Sequence, residues 1–122
     1  MATARGPHKN LRVWKESMDF VYSLYRATCR FPKEEIYGLT SQMRRAAISI
    51  PSNIAEGYGR SSDAELVHFL YIALGSSNEI DTQLLIAFNI GYLNGEDYES
   101  LSMRNDDIAK MLRSLIHMRS NS

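Results

Sequence analysis

The sequence predicts an all-α, antiparallel, up-down-up-down four-helix bundle, and three observations support this prediction. Apolar residues recur with helical spacing in four separate stretches, and none of these stretches shows the alternation of a strand. Short segments containing Pro, Gly or Asn separate them. Long helices joined by short connections pack antiparallel to one another. The 122 residues suffice for one such domain and are too few for two.

The first predicted helix runs from about Leu11 to Arg30, and its apolar residues lie on one half of its circumference at about 100° per residue. Those residues are Val13, Trp14, Met18, Phe20, Val21, Leu24, Tyr25 and Cys29. An arc this wide exceeds the roughly 100° that a single core contact needs, so we expect this helix to contact more than one neighbour. Phe31-Pro32 ends it, because Pro cannot continue a helix.

The second predicted helix begins at Thr40 or Ser41, which are suitable N-caps, and ends near Tyr58. It has a polar stripe, for which Glu79 of the next helix is a possible partner. The stripe consists of Arg45, Ser49, Ser52, Asn53 and Glu56. Exposed helix faces usually use Lys, Glu and Gln, so we favour a close helix contact over a solvated face. We expect Arg45 and Glu56 to be partly buried and hydrogen-bonded to each other, or to Asn53 and Glu79.

The third and fourth helices have clear start signals. Ser62-Asp63-Ala64-Glu65 is a capping box, and the helix it opens ends near Ile90, before Gly91. Asn94-Gly95-Glu96-Asp97 opens the fourth helix with acids in its first turn, which suits the helix dipole. The expected organisation is therefore a polar N-terminal tail over residues 1–10 and a single bundle domain over residues 11–119.

Composition excludes several classes of protein. Cys29 is the one cysteine, which excludes an internal disulfide and fits a reducing cytosol. The N-terminus is polar and lacks the apolar stretch of a signal peptide. No run approaches the roughly 18 apolar residues that a membrane span needs. We therefore expect a soluble, cytoplasmic protein without a membrane partner.

Motifs for catalysis or metal binding are also lacking in the sequence. Glu65-Leu66-Val67-His68 is the one Glu-x-x-His, whereas di-metal carboxylate bundles use two such motifs together with two further Glu residues. No nucleophile, base and orienting group are marked as a set, and there is no Gly-rich phosphate loop. We expect neither an enzyme nor a protein with a metal or cofactor.

Charge is unevenly distributed, although the net charge is zero. Residues 1–61 contain ten Lys or Arg against five Asp or Glu, whereas residues 62–122 contain four against nine. This asymmetry indicates either complementary packing between helices or a basic surface for nucleic acid. The candidate nucleic-acid-binding residues are Arg12, Lys15, Arg26, Arg30, Arg44 and Arg60.

Several motifs closely resemble one protein family. They are Val13-Trp14-Lys15, Phe31-Pro32, Glu35-x-Tyr37-Gly38-Leu39, Gln42-x-x-Arg45-Ala46-Ala47-x-Ser49-Ile50-Pro51-x-Asn53-Ile54-Ala55-Glu56-Gly57 and Ala73-x-Gly75-Ser76-x-x-Glu79. This pattern is similar to that of the four-helix-bundle proteins encoded in intervening sequences of bacterial 23S ribosomal RNA genes. The resemblance implies a left-handed bundle, a cytosolic location and a ring-shaped homopentamer. It also implies kinship with the accessory proteins of diversity-generating retroelements, which resemble basic pentamers that contact nucleic acid and a reverse transcriptase.

Two functional hypotheses follow from these observations. The first is a homo-oligomeric scaffold that binds RNA, DNA or a nucleic-acid-handling protein through its basic first and second helices. The alternative is a protein-only structural interaction module, which zero net charge favours. We also predict self-association, because the apolar arc of the first helix is wider than one contact needs, and because Ile72, Ile86 and Ile90 lie on the far side of the third helix, where a single bundle does not need them.

Overall fold

The computed structural model describes residues 6–121, and within that range the chain forms four α-helices and no strand. The helices are α1 (Arg12–Thr28), α2 (Leu39–Tyr58), α3 (Asp63–Asn89) and α4 (Gly95–Ser120), with a 3-10 turn over Lys33–Glu35. Each helix packs against the next one in the chain, and α1 also packs against α4. The predicted antiparallel four-helix bundle is confirmed.

The core fills the centre of the bundle with side chains from all four helices. Its most fully buried large apolar members are Phe20, Leu24, Met43, Ile50, Ile54, Leu70, Ile80, Leu84, Ile108 and Leu112. Within each helix they lie four, seven or ten residues apart, which are spacings that keep one helical face on a core. Their burial is the main source of free energy holding the helices together.

The start of α2 differs from the prediction. Neither Thr40 nor Ser41 is the N-cap; Gly38 occupies that position and has no side chain to offer. Glu35, in the 3-10 turn, replaces it, because its Oε1 accepts a hydrogen bond from the Leu39 backbone N–H at 3.1 Å. Thr40 is buried inside the first turn. The acceptor therefore comes from the connector before the helix and not from the helix's own first residues.

Glu35 also ties this connector to the loop between α3 and α4. Its Oε2 accepts a hydrogen bond from the Tyr92 hydroxyl at 2.9 Å, and the Tyr92 ring packs on Phe31 with ring centroids 5.4 Å apart. The hydrogen bond to the Glu35 carboxylate, followed by partial burial and the charge of that carboxylate, raises the pKa of Tyr92 above its ordinary value. One carboxylate therefore joins two loops at the same end of the bundle.

The observed ends of α3 and the start of α4 agree with those predicted from the sequence. Ser62 Oγ accepts a hydrogen bond from the Glu65 N–H at 3.2 Å, and Asn94 Oδ1 accepts one from the Asp97 N–H at 2.8 Å. Gly91 has a φ of 88°, and backbone bonds from Gly91 to Phe88 and from the next residue to Ala87 complete a Schellman motif. Only a glycine adopts this left-handed conformation without strain. The turn between α3 and α4 is consequently short and sharp.

Residues before α1 belong in part to the bundle. Residues 1–5 of the predicted polar tail lie outside the described residues. Within the described part, the His8 ring packs edge-on against Trp14 with centroids 5.0 Å apart, and the Leu11 N–H bonds to the His8 carbonyl at 3.0 Å. The last residues of the predicted tail thus form a turn that contacts α1.

Candidate nucleic-acid interface

The outer face of α1 presents cationic side chains to solvent. Arg12, Lys15 and Arg26 are exposed. Arg12 lies 3.8 Å from Glu16 in an ion pair whose arginine side chain is 82% exposed, and such surface pairs contribute little. Lys15 forms no ion pair with any residue in the described range. These three side chains are therefore available to an external anion.

Arg44 does not belong to this face, although the sequence suggested it. Its Nε donates a hydrogen bond to Thr28 Oγ1 at 2.9 Å, and its guanidinium stacks over the Tyr25 ring at 4.4 Å. The side chain is half-buried between α2 and the end of α1. Its role in the folded chain is to join these two helices.

Arg60 is also engaged within the chain. Its Nη2 donates to Glu56 Oε1 at 2.5 Å, and its guanidinium lies over the Phe69 ring at 4.8 Å. Both partners lie near the junction of α2 and α3. The structure therefore does not bring Arg60 into contact with the α1 cations.

Arg26 and Arg30 line a groove between α1 and α4, which we call the α1/α4 groove. It has a volume of about 290 Å³ and is lined by Ser23, Arg26, Ala27, Arg30, Asp97, Ser100, Leu101 and Arg104. Arg30 lies just beyond the end of α1 and pairs with Asp97. Arg104, from the acidic half of the chain, donates a hydrogen bond through Nη1 to Ser23 Oγ at 2.7 Å.

Sequence reasoning missed Arg104 because it precedes Asp106 and Asp107 in a segment with more acids than bases. A local signal did exist. Arg104 is one turn from both Leu101 and Ile108, which are buried, so it lies on the flank of the core stripe and faces a neighbouring helix. The candidate interface thus includes a cation from α4, which a comparison of the net charges of the two halves of the chain could not identify.

The polar stripe has two different parts in the structure. Ser49 lies at the contact with α3, since its hydroxyl accepts a hydrogen bond from Ser76 Oγ at 2.8 Å and one from Asn53 Nδ2 at 2.9 Å. Arg45, Ser52 and Glu56 are exposed.

The expected contact of Arg45 with Glu56, and the burial of both, are wrong for the folded chain. Glu56 instead pairs with Arg60 one turn away, whereas Arg45 is about three helical turns from Glu56. Glu79 is exposed too, and accepts a hydrogen bond from Gln83 Nε2 at 3.2 Å. The arginine and the glutamate therefore do not anchor the α2–α3 contact.

The outward side of α3, which we call the α3 outer face, exposes several apolar side chains beside the polar Asn78, Glu79 and Thr82. Its exposed apolar side chains are Tyr71, Ile72, Leu85, Ile86 and Ile90. Gly75 also lies here, and no atom other than those of its chain neighbours and the backbone of its own helix lies within 4 Å of the position that a Cβ would occupy. Isoleucines exposed in this density on one face are unusual for a surface that stays in water.

Glu65 and His68 do not resemble a metal site. Both are exposed, and the His68 ring packs edge-on against Phe69 with centroids 5.3 Å apart. Within residues 6–121 no group of three or more His, Cys, Asp or Glu side chains converges to hold a metal ion. In the same range, no helix combines the length and the apolar character needed to cross a membrane.

The fold and these surfaces define a small helical-bundle protein with a cationic helix face and an apolar helix face. A model of the 23S rRNA-intervening sequence protein family matches residues 9–114. The chain therefore belongs to that family, as its motifs indicated.

A solved structure from Bacteroides thetaiotaomicron, described as a protein of unknown function from the S23 ribosomal protein family, is similar to this chain. The two are 28% identical with a TM-score of 0.77, and the alignment covers 85% of this chain and 97% of the other. Comparison with proteins of curated function gives no match. Family membership thus supports the fold and leaves the activity to be argued from the surfaces.

Proposed function

We propose that this protein is a non-enzymatic, cytoplasmic, homo-oligomeric scaffold that holds nucleic acid, or a nucleic-acid-handling partner, through the cationic face of α1. The observation that supports it is the separation of two surfaces. The α3 outer face has five exposed apolar side chains, whereas the outer face of α1 has three exposed cations beside the exposed Asp19, and α1 and α3 are not adjacent helices in the described part of the bundle. Burying α3 between subunits therefore leaves α1 outside.

Self-association through the α3 outer face accounts for its exposed isoleucines, because burying apolar side chains between subunits removes them from water. Family resemblance implies a pentameric ring. Light scattering should give a mass several times that of the 13.9 kDa chain. Ile86→Lys should reduce that mass, because it places a charge in the interface. Ser52→Lys, on the exposed side of α2, is the matched control and should leave the mass unchanged. A monomer at micromolar concentration in the wild type contradicts self-association.

Nucleic-acid binding by this scaffold should be weak, tolerant of sequence and sensitive to salt. Each subunit offers few free cations, and a ring repeats them, so avidity raises the overall affinity above that of one site. Filter binding of structured RNA and duplex DNA should fade as salt rises from about 50 to 200 mM. Arg12→Glu/Lys15→Glu should remove retention at low salt. Lys33→Glu/Arg113→Glu changes the net charge equally at exposed positions off the α1 face. This control variant should still retain most of the nucleic acid at low salt.

The protein-only interaction module is the second candidate, and a specific observation favours it. Arg12, Arg30 and Arg60 each pair with a carboxylate of the same chain. Arg44 is occupied by Thr28 and Tyr25. An oligomer that retains neither RNA nor DNA at micromolar concentration would establish this second candidate.

A further inference from the structure

Two guanidinium groups share one neutral oxygen in the α1/α4 groove. Arg104 Nη1 donates to Ser23 Oγ at 2.7 Å, and Arg26 Nη2 donates to the same oxygen at 3.2 Å. A serine hydroxyl has two lone pairs and can accept both bonds, but it has no charge. The two cations are therefore held side by side without an anion between them, although like charges repel.

The carboxylate of the groove does not relieve this repulsion. Asp97 is the one acidic side chain in its lining, and it pairs with Arg30. Arg26 and Arg104 form no ion pair with any described residue. The groove thus has three guanidiniums, one carboxylate and the hydroxyls of Ser23 and Ser100.

A purely structural role explains only one of these arginines. A single bond from Arg104 to Ser23 is enough to tie α4 to α1. Arg26 is exposed and could point into water, yet it points to the same hydroxyl. An arrangement that gathers cations around a neutral oxygen is suited to an anion that accepts from several donors at once.

We propose that the α1/α4 groove binds a phosphate group between Arg26 and Arg104, with Ser23 as a further hydrogen-bonding partner. The planar guanidinium fork matches two oxygens of a phosphate, which distinguishes this anion from chloride. The groove is open to solvent on one side, so the phosphate belongs either to a nucleic-acid backbone or to a free phosphate. The inference rests on the proposed function in that it names how α1 and α4 together hold the backbone.

The first experiment measures thermal unfolding of the intact protein in inorganic phosphate and in chloride at equal ionic strength. A ligand that binds the folded state raises its melting temperature. Phosphate should raise the melting temperature of the wild type and of the control Arg113→Gln, which loses an exposed charge on the same helix. Arg104→Gln should lose most of this increase. An equal increase in Arg104→Gln and the wild type overturns the proposal, as does no increase in the wild type.

A second variant tests the same site without removing an arginine. Ser23→Asp places a carboxylate between the two guanidiniums and so supplies the missing anion from within the chain. This variant should melt at a higher temperature than the wild type in chloride and should no longer respond to phosphate. A phosphate response as large as that of the wild type would show that the anion binds elsewhere.

The third experiment distinguishes a phosphate of the RNA backbone from a terminal phosphate and keeps this proposal distinct from the scaffold's function. Filter binding of a single-stranded RNA, with and without a 5′-phosphate, is compared between the wild type and Arg104→Gln. If both RNAs depend equally on Arg104, the groove binds the backbone. In that case the slope of log affinity against log salt should be shallower by about one in Arg104→Gln than in the wild type. Dependence only with the 5′-phosphate assigns the groove to a terminal phosphate.

The outcomes distinguish the two proposals. RNA binding that survives Arg104→Gln unchanged, but is lost in Arg12→Glu/Lys15→Glu, overturns the groove as a site for the nucleic-acid backbone and supports the scaffold. A phosphate response that requires Arg104 in a protein that binds no RNA supports the groove, as a site for free phosphate, and overturns nucleic-acid binding.

Discussion

Arg104 and Asn105 are consecutive residues of α4, and each bonds a serine of a different neighbouring helix. Arg104 reaches Ser23 of α1 at 2.7 Å in a half-exposed groove. Asn105 faces α3, where its Nδ2 donates to the Ser77 carbonyl at 3.0 Å and its Oδ1 accepts from Ser77 Oγ at 2.8 Å. Asn105 and Ser77 are each only 1% exposed.

The difference between the two contacts lies in how completely their polar groups are satisfied. Asn105 and Ser77 satisfy each other in both directions and exclude water, as buried polar groups must. Ser23 receives two cationic donors and offers no charge in return. The α3–α4 contact is therefore closed and structural, whereas the α1–α4 contact still has capacity for a ligand.

The largest expected effect is on the closed contact. Asn105→Ala leaves the buried Ser77 hydroxyl without its side-chain partner and removes the second hydrogen bond to the Ser77 carbonyl, and we expect it to lower the free energy of unfolding by about 2–3 kcal/mol. Urea unfolding measures this loss. Asp106→Ala, its exposed neighbour, is the control and should cost less than about 0.5 kcal/mol.

A double-mutant cycle with Ser77→Ala should show that the two losses of stability are not additive, because each single mutation removes the same interaction. Strictly additive losses would mean that the two side chains do not depend on each other.

Glu35 is an intermediate case, since it is half-exposed but makes two hydrogen bonds to different segments. Glu35→Ala removes the acceptor at the start of α2, and we expect a loss of about 1 kcal/mol, as for an N-cap. Thermal unfolding followed by circular dichroism measures it. Glu34→Ala, an exposed neighbour in the same 3-10 turn, should be close to the wild type; if it is equally unstable, Glu35 has no capping role.

A smaller effect is expected for Tyr92 and depends on pH. Its pKa is raised in the folded protein, so the folded state holds this proton more tightly than the unfolded state. The stabilisation is complete below the unfolded value of about 10 and is lost as pH rises through the folded value. Wild type should therefore be more stable than Tyr92→Phe at pH 7, and the difference should shrink above about pH 10. A difference that stays constant across this range would contradict the hydrogen bond to Glu35.

The smallest effect on stability is expected at the open contact. Arg104→Ala should lower the free energy of unfolding by less than about 1 kcal/mol in phosphate-free buffer, because a partly exposed bond to a neutral hydroxyl contributes little and its loss relieves repulsion with Arg26. Urea unfolding in chloride measures it. A loss as large as that of Asn105→Ala would show that Arg104 is a structural residue and would weaken the contrast between the two contacts.

Local features of the fold were predictable from the sequence. Ser62 and Gly91 act through bonds to residues within one turn, so their patterns identify the ends of α3 without knowledge of the rest of the chain. The start of α2 was not predictable in the same way. Its acceptor, Glu35, lies in an irregular connector whose path depends on the packing of Phe31 and Tyr92.

The candidate site was predictable only in part. The uneven charge distribution singled out Arg26 and Arg30, but Arg104 is separated from Ser23 by 81 positions, and periodicity does not fix how distant helices are rotated toward each other. The same limitation explains why the predicted burial of Arg45 and Glu56 is wrong. Composition marked their face as unusual, yet it could not tell a contact within the chain from a face that points outward.

The connectivity of the bundle has a consequence for the kinetics of unfolding. The Ser49–Ser76 and Ser77–Asn105 hydrogen bonds, which join α2 to α3 and α3 to α4, link residues 27 and 28 positions apart, and the Asp63–Arg119 ion pair between α3 and α4 links residues 56 positions apart. The bonds that join α4 to α1 and to the residue just beyond it span 81 and 67 positions. Closing a longer loop costs more entropy, so the α1–α4 contact should form late in folding and open first. Amide hydrogens of α1 should therefore exchange faster than those of α3. A ligand held between α1 and α4 would bridge both ends of the chain and delay this opening.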